Sequence, residues 1–359
     1  MRKPLNNLER AKISKKKLYP YYGANNLMDY VDEYIFDEEI LCVTEDGGTW
    51  GFNEKCSYIV NEKCWVNNHA HVLRANKDLN LKYLYYYLNH NDLSKYITGT
   101  TRGKLTKSAL NKIEILLPDK INQKKIVEVL DKAQELIDKR KEQIDSLDEL
   151  VKSRFIEMFG DPVINPMNWE KRKLADECNI VTGNTPSRKV EEYYGDYIEW
   201  IKSDNITDAR TYLTIAREYL SKKGLDVGRS VEPNSILMTC IAGSIKCIGN
   251  VAIANRKVAF NQQINGIETL DNNVFFMFEQ FNLSQQYIQS TINMALKGIL
   301  SKGQLSELEF IFPPIELQNE FATFFKQVEK LKSQMENSLK ELEDNFNSLM
   351  QKAFKGELF

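Results

Sequence analysis

The sequence predicts a mixed α/β (α+β) protein built by duplication: two globular domains of similar fold, separated by two long helices that pair as an antiparallel coiled coil. Three observations carry this reading. The stretch RGKLTKSALNKIEILLP, ending at Pro118, is matched without a gap by KGILSKGQLSELEFIFP, ending at Pro313, at a constant offset of 195 residues. From Gly103/Gly298 to Pro118/Pro313 the pairs Gly103/Gly298, Leu105/Leu300, Lys107/Lys302, Leu110/Leu305, Glu114/Glu309 and Pro118/Pro313 are identical, and Gln123/Gln318 continues the match. A period this long exceeds the roughly 20–50 residues of a solenoid unit and fits a duplicated domain. Each copy then runs into a helical pattern with one apolar stripe, and a chain of 359 residues has room for about two domains that each bury a core.

The helices follow from spacing. Steps of four and three from Ile126 pass through Leu130, Ala133, Ile137, Arg140, Ile144, Leu147, Val151, Arg154 and Met158, an a/d seam interrupted by two arginines. Adding 195 gives Phe321, Phe325, Val328, Lys332, Met335, Leu339, Leu342, Phe346, Leu349 and Ala353, in the same phase. At 1.5 Å rise each seam spans on the order of 50 Å. A single seam also suits an amphipathic helix packed on its own domain. Two in phase favour mutual burial, with Ile126, Leu130, Ile137, Ile144, Leu147 and Val151 facing Phe321, Phe325, Val328, Leu339, Leu342 and Phe346. The runs IEILLPDK and FIFPP read as strands stopped by proline, which pre-sets the helix start. The expected order is a first domain over 1–121, a helix over 122–160, a second domain over 161–317 and a helix over 318–359.

Within the domains, EILCVT, YIEWI and VAIANRKVAF read as strands. LKYLYYYLNHNDLSKYI and NNVFFMFEQFNLSQQYIQSTI read as the modest helices between them. The longest apolar region, NSILMTCIAGSIKCIGNVAIA, is broken by Gly243, Lys246, Gly249 and Asn250, which suits buried strands and a turn rather than a membrane span. No apolar segment follows the basic N-terminus, so no secretory signal is read there and the expected location is the cytoplasm. Six cysteines without CxxC spacing are expected to be reduced and mostly buried, with no zinc site.

Net charge is −2, divided as +3, −1, −3 and −1 over the four segments above. This argues against non-specific coating of nucleic acid, which draws on many unopposed Lys and Arg side chains. Any nucleic-acid contact must come from focused loops. GTTRGKLTKSAL and MALKGILSKGQL each place Gly among cations and hydroxyls, so Arg102, Lys104 and Lys107 in the first copy and Lys297 and Lys302 in the second are candidate phosphate contacts. The amide-rich runs VNNHAH and FNQQIN offer Asn67 and Asn68, and Asn261, Gln262 and Gln263, as candidate base readers. For both sets a solvated surface turn is the plainer alternative, and duplication favours function.

His69 and His71 share a strand face but no carboxylate or Cys completes a metal site. No GxGxxG follows a strand, no Walker A loop occurs, and NPMN at Asn165–Asn168 and FPPI at Phe312–Ile315 both fail the Pro-Pro-aromatic pattern of amino-methyltransferases. No catalytic residue is assigned.

Tyr19 to Asn26 with Asp29-Tyr30-Val31, VNNHAHVL at Val66 to Leu73, GDYIEWI at Gly195 to Ile201, and the repeated Gly103 to Gln123 and Gly298 to Gln318 together resemble the specificity (S) subunit of type I restriction-modification systems, over nearly the whole chain. The resemblance implies a non-catalytic reader of double-stranded DNA. Each globular part would be a target recognition domain for one half of a split, asymmetric site, and the helices a spacer. It implies docking of two modification (methyltransferase) subunits that use S-adenosylmethionine, and of restriction (translocase/endonuclease) subunits that use ATP with Mg. The chain itself would bind no cofactor and no membrane. One departure stands out: the second copy opens near Trp169, the offset of 195 carries its counterpart ahead of Met1, and the turn Gly183, Thr185, Pro186 has no partner in the first copy. A shortened first domain is therefore expected, and a truncated or silent-cassette chain is one alternative. A coiled-coil scaffold without DNA-reading activity is the other.

Overall fold

The structure is a computed structural model describing residues 4–99, 101–292 and 298–359. It divides into two compact units, Met1–Glu142 with Glu336–Phe359, and Gln143–Met335. Each unit therefore holds one globular domain and part of both long helices.

The first unit opens with α1 (Asn7–Lys12), β1 (Tyr19–Gly23), β2 (Asn26–Val31), β3 (Ile40–Thr44), β4 (Ser57–Val60), β5 (Trp65–Val66) and β6 (Ala70–Leu73). It continues with α2 (Leu81–His90), the short α3 (Lys107–Leu110) and the first long helix, α4 (Lys120–Phe159). Its sheets have strand orders β2-β1-β5 and β4-β3-β6, with β1 and β5 parallel. The second unit adds β7 (Lys171–Lys173), α5 (Leu174–Glu177), β8 (Cys178–Thr182), β9 (Tyr194–Ile201), α6 (Ser203–Thr207), β10 (Tyr219–Leu220) and α7 (Lys222–Val227). After these come β11 (Ser230–Val231), β12 (Ser235–Thr239), β13 (Val251–Ala254), β14 (Val258–Phe260) and β15 (Ile264–Thr269). Then follow α8 (Val274–Leu283), α9 (Gln285–Ser290), α10 (Lys302–Glu307), β16 (Glu309–Ile311) and α11 (Ile315–Lys355). Its sheets are β10-β9-β14-β11, β13-β12-β15-β8 and β16-β7.

The duplication expected from the sequence is visible in the strand pairing. β1 and β5 run parallel with Tyr22 beside Val66, as β9 and β14 do with Ile201 beside Phe260. β3 is flanked antiparallel by β4 and β6 as β12 is by β13 and β15. β3 and β12 are buried along their whole length, which is why ILCVT and SILMT are so apolar. The sheet around β12 has one strand more than the sheet around β3, and that strand, β8, comes from the stretch that the sequence finds in the second copy only.

Each unit packs its domain helix against both long helices. In the first, Tyr83 and Tyr86 of α2 share a core with Ile126, Val127 and Leu130 of α4 and with Met350, Ala353 and Phe354 of α11. In the second, Phe155 of α4 stacks on Phe276 of α8 at 5.3 Å and Phe159 meets the same ring edge-on at 4.9 Å, and the two lie 5.4 and 5.9 Å from Phe321 of α11. Within each unit the helix pairing is antiparallel. Lys141 bridges to Glu343 at 3.0 Å in the first unit, while Asp148 meets Lys332 at 2.5 Å and Arg154 meets Glu320 at 3.0 Å in the second. Of the seam residues, Ile126, Leu130, Ile137, Ile144, Leu147, Val151, Phe321, Phe325 and Val328 are buried, and Leu339, Leu342 and Phe346 are half-buried.

One strand expectation is corrected. The run before Pro313 forms β16, but its counterpart Glu114–Leu116 forms no strand. β16 exists because β7 pairs with it; in the first copy, the Glu114 and Leu116 carbonyls instead accept from the Tyr87 and Tyr83 hydroxyls at 2.9 and 2.6 Å. Among the described residues no helix is long and apolar enough to cross a membrane.

Glu279 of α8 is only 4% exposed, and its Oε1 meets no hydrogen-bond partner. Burial pushes its carboxyl up to about 7, against the pull of Asn282, Lys152 and Lys332 and with a push from Asp148. A folded value above the ordinary one means that Glu279 favours the folded state most at low pH, and that this contribution is lost as pH rises through 7. Glu279→Gln is therefore expected to raise stability at pH 8 by on the order of 3 kcal/mol and to leave it nearly unchanged at pH 4. Urea midpoints at the two pH values check this, and an equal gain at both would refute it.

Candidate nucleic-acid interface

The repeated element is built the same way twice. Leu105 and Leu300 are buried anchors, and the next residues, Thr106 and Ser301, cap short helices by accepting from Ala109 N and Gln304 N, each at 3.2 Å. A capped turn thus stands where the sequence suggested a loop leading directly into a strand. Lys107 and Lys302 are the exposed first residues of α3 and α10.

The element is then strapped to the end of the central strand. In the first copy, Leu105 N donates to Glu45 O at 2.7 Å and Glu45 N to His69 O at 2.9 Å. In the second, Leu300 N donates to Cys240 O at 2.9 Å and Cys240 N to Gln263 O at 2.7 Å. Glu45 and Cys240 are themselves 195 residues apart, so both copies bring the cation loop and the amide-rich turn to one strand end.

In the first copy this end carries paired charges. Arg102 Nη2 lies 3.1 Å from Asp46 Oδ1, Lys104 Nζ lies 3.2 Å from Glu45 Oε1, and His69 Nδ1 lies 2.9 Å from Asp46 Oδ1. The Arg102 side chain remains 65% exposed. A guanidinium has five N–H donors, so the Asp46 contact leaves others facing solvent. Arg102 also crosses Gly47, whose φ is +70°, and an added Cβ there would meet Nη2 at 2.5 Å. His71 Nε2 lies 2.7 Å from the Leu105 carbonyl, so this ring helps to hold the loop. Among the described residues no group of three or more His, Cys, Asp or Glu is placed to hold a metal ion.

The amide turns match residue by residue. Asn67 N donates to Tyr22 O and Asn261 N to Ile201 O, both at 3.0 Å; Asn67 Oδ1 accepts from His69 N at 2.8 Å and Asn261 Oδ1 from Gln263 N at 3.0 Å. Both asparagines are buried, which commits their carbonyls to shaping the turn. Asn68 and Gln262, next in the chain, are exposed. Gln263 is half-buried and its Oε1 accepts from Asn261 Nδ2 at 3.1 Å. Lys297 lies outside the described residues.

Sequence reasoning passed over several neighbours. Thr185 donates its hydroxyl to Gln262 Oε1, and it belongs to the Gly183–Pro186 turn already singled out as peculiar to the second copy. Arg188 packs its guanidinium 4.5 Å from the Tyr194 ring and 5.1 Å from Trp200, and pairs with Glu218 at 2.6 Å. Nothing in SRKVEE announces those partners. Burial pushes the thiols of Cys42, Cys56, Cys64, Cys178 and Cys240 up to about 12, so they stay protonated and unreactive.

Two copies of one mixed domain, each presenting a shaped turn and a capped cation loop and joined by paired helices, define a two-headed recognition protein. The sequence profile described as "Type I restriction modification DNA specificity domain" matches residues 3–148 and again 166–344. The chain belongs to this type I restriction-modification specificity family: it is a specificity subunit with two target recognition domains, a non-catalytic component.

Among curated proteins it is 40% identical over 112 residues to S.HindORF215P of Haemophilus influenzae, assigned as a type I restriction enzyme specificity subunit; the match covers 31% of this chain and 29% of that one. It is 27% identical over 203 residues to the MjaIX specificity subunit of Methanocaldococcus jannaschii, covering 54% of this chain and 45% of the relative. These matches span less than half the length of each relative. The fold is similar to the crystal structure of a type I S subunit from M. genitalium, with TM-score 0.58 and 14% identity, over 99% of this chain and 92% of that one. It is also similar to a chain from a structure concerned with assembly and conformational transition of the type I system, with TM-score 0.59 and 16% identity, over 95% and 92%.

Proposed function

We propose that this chain reads a bipartite sequence in double-stranded DNA, one half-site per domain, and presents it to two docked modification (methyltransferase) subunits. Recognition domains over 1–121 and 161–317 would do the reading, and helices over 122–160 and 318–359 would set the spacing. S-adenosylmethionine would be used by the modification subunits, and ATP with Mg by restriction subunits that join the assembly. The observation that carries this reading is the identical strapping of the turn and cation loop to the ends of β3 and β12, since a reading head needs phosphate contacts and base-edge contacts on one face.

In this reading Arg102, Lys104, Lys107 and Lys302 touch phosphates, and Asn68 and Gln262 meet base edges. Asn67, Asn261 and Gln263 hold the turn in place. Lys302→Ala is expected to weaken binding to all sequences alike and to reduce the salt slope by about 1, whereas Gln262→Ala should change preference at one base position, worth about 1–3 kcal/mol. Titrations at several salt concentrations, run on a panel of sites with the modification subunit present, separate the two effects.

The deciding experiment co-expresses the chain with a cognate modification subunit and maps methylated adenines across host DNA. A two-part motif with one fixed gap supports two working heads. Methylation at a single half-site, or none, overturns the reading.

A further inference from the structure

We propose that Lys332 is a positioning residue that selects the register of the two long helices and, through it, the gap between half-sites; the second step rests on the function proposed above. Lys332 occupies a seam position and is 4% exposed. Its Nζ lies 2.5 Å from Asp148 Oδ1 across the helix pair and 3.4 Å from Glu329 Oε1, one turn back on its own helix. Asp148 also meets Arg210 Nη1 at 3.5 Å, so the same carboxylate ties both helices to the body of the second domain. Glu279 and Lys152 line the same cavity as Asp148, Arg210 and Glu329.

Apolar seam residues select register weakly, because Ile, Leu, Val and Phe satisfy one another at any slip by a whole heptad. A buried ammonium does not, since it is costly wherever no anion faces it. In an antiparallel pair, a slip of one heptad would set Lys332 opposite either Phe155, which is fully buried, or Lys141. Both arrangements remove the Asp148 contact, and neither supplies another anion across the helices. The second cross-helix pair of this unit, Arg154 with Glu320, involves a Glu side chain that is 57% exposed; solvent screening leaves it little power to choose. The position 195 residues earlier holds Ile137, so of the two equivalent seam positions only this one carries a charge. A single polar residue at an a position is a known way to fix register at some cost in stability.

The test is a distance measured between two spin labels in the full chain. Cysteines at the exposed Ser153 and Gln334, one on each long helix of the second unit, carry the labels, and a slip of one heptad changes their offset along the helices by about 10 Å. With Lys332 present, a single distance should be found. In Lys332→Leu, or Lys332→Met should leucine pack poorly, a second distance should appear with no fall in melting temperature, and Lys332→Arg should restore the single native distance. One unchanged distance in the apolar variants overturns the proposal. With the modification subunit present, Lys332→Leu should also methylate motifs of more than one gap length. If the parent protein methylates no two-part motif, the DNA-reading function fails while the distance result still decides the register.

Discussion

Deleting Phe346 to Phe359 is expected to unfold the first unit and to leave the second folded. The deleted residues lie far from that domain in sequence, yet they close its core. Met350, Ala353 and Phe354 are buried beside Tyr83, Tyr86 and Leu130. The Phe354 ring sits 5.6 Å from Tyr83, 5.2 Å from Tyr87 and 5.6 Å from His90, and Asn347 Oδ1 accepts from Asn53 Nδ2 at 3.2 Å. Truncating one buried Phe costs about 3–5 kcal/mol and one Met about 2–5. Together these losses consume the roughly 5–15 kcal/mol by which a domain is stable. Hydrogen exchange should show lost protection in β3 and α2 with β12 and α8 unchanged. Retained protection in α2 would refute the role given to the end of α11. Phe354→Ala should reproduce part of the effect as a lower unfolding midpoint for the first unit alone.

Gln318→Leu should be comparably damaging to the second unit. Gln318 is 1% exposed; its Oε1 accepts from Asn273 N at 2.9 Å, and its Nε2 donates to Pro313 O at 2.8 Å and Asn272 Oδ1 at 2.9 Å. One amide thus ties the start of α8, the proline after β16 and the first turn of α11 together. Gln123 repeats the arrangement, accepting from Asn80 N and donating to Pro118 O and Asp78 O. Leucine preserves the bulk and strands the backbone groups, each worth about 1–3 kcal/mol when buried and unmet, so losses of roughly 2–5 kcal/mol are expected in either unit. Urea unfolding of both variants checks this, and a loss under about 1 kcal/mol in both would remove the amide from its structural role.

The sequence made this duplicated amide visible as the last matched pair of the repeat, but not its purpose. The architecture was legible because it depends on local signals: an offset repeated residue by residue, and apolar spacing that sets two seams in phase. What was hidden depends on partners far along the chain. The run IEILLP looks as strand-like as ELEFIF, and only the second has β7 beside it. Asn67 and Asn261 looked available for recognition, and burial commits them to the turn, leaving Asn68 and Gln262 outside. Arg102 and Lys104 looked like bare cations, yet Asp46 and Glu45, close to 60 residues earlier, hold them. Lys332 could be placed on the seam by counting, but Asp148 occupies no seam position, so the pair emerges only once the helices are laid together.

The assembly of the first unit from two distant stretches of chain reverses the order of maturation during synthesis. Residues 143–335 leave the ribosome as a contiguous block and contain everything their unit needs. The first domain emerges earlier but must wait for Glu336–Phe359 before its core can close, a delay on the order of ten seconds or more at about 5–20 residues per second. During that interval Tyr83, Tyr86 and Leu130 lack their cover. The domain translated first is the last to finish, and the nascent protein's window of vulnerability to proteases and aggregation falls on its N-terminal half.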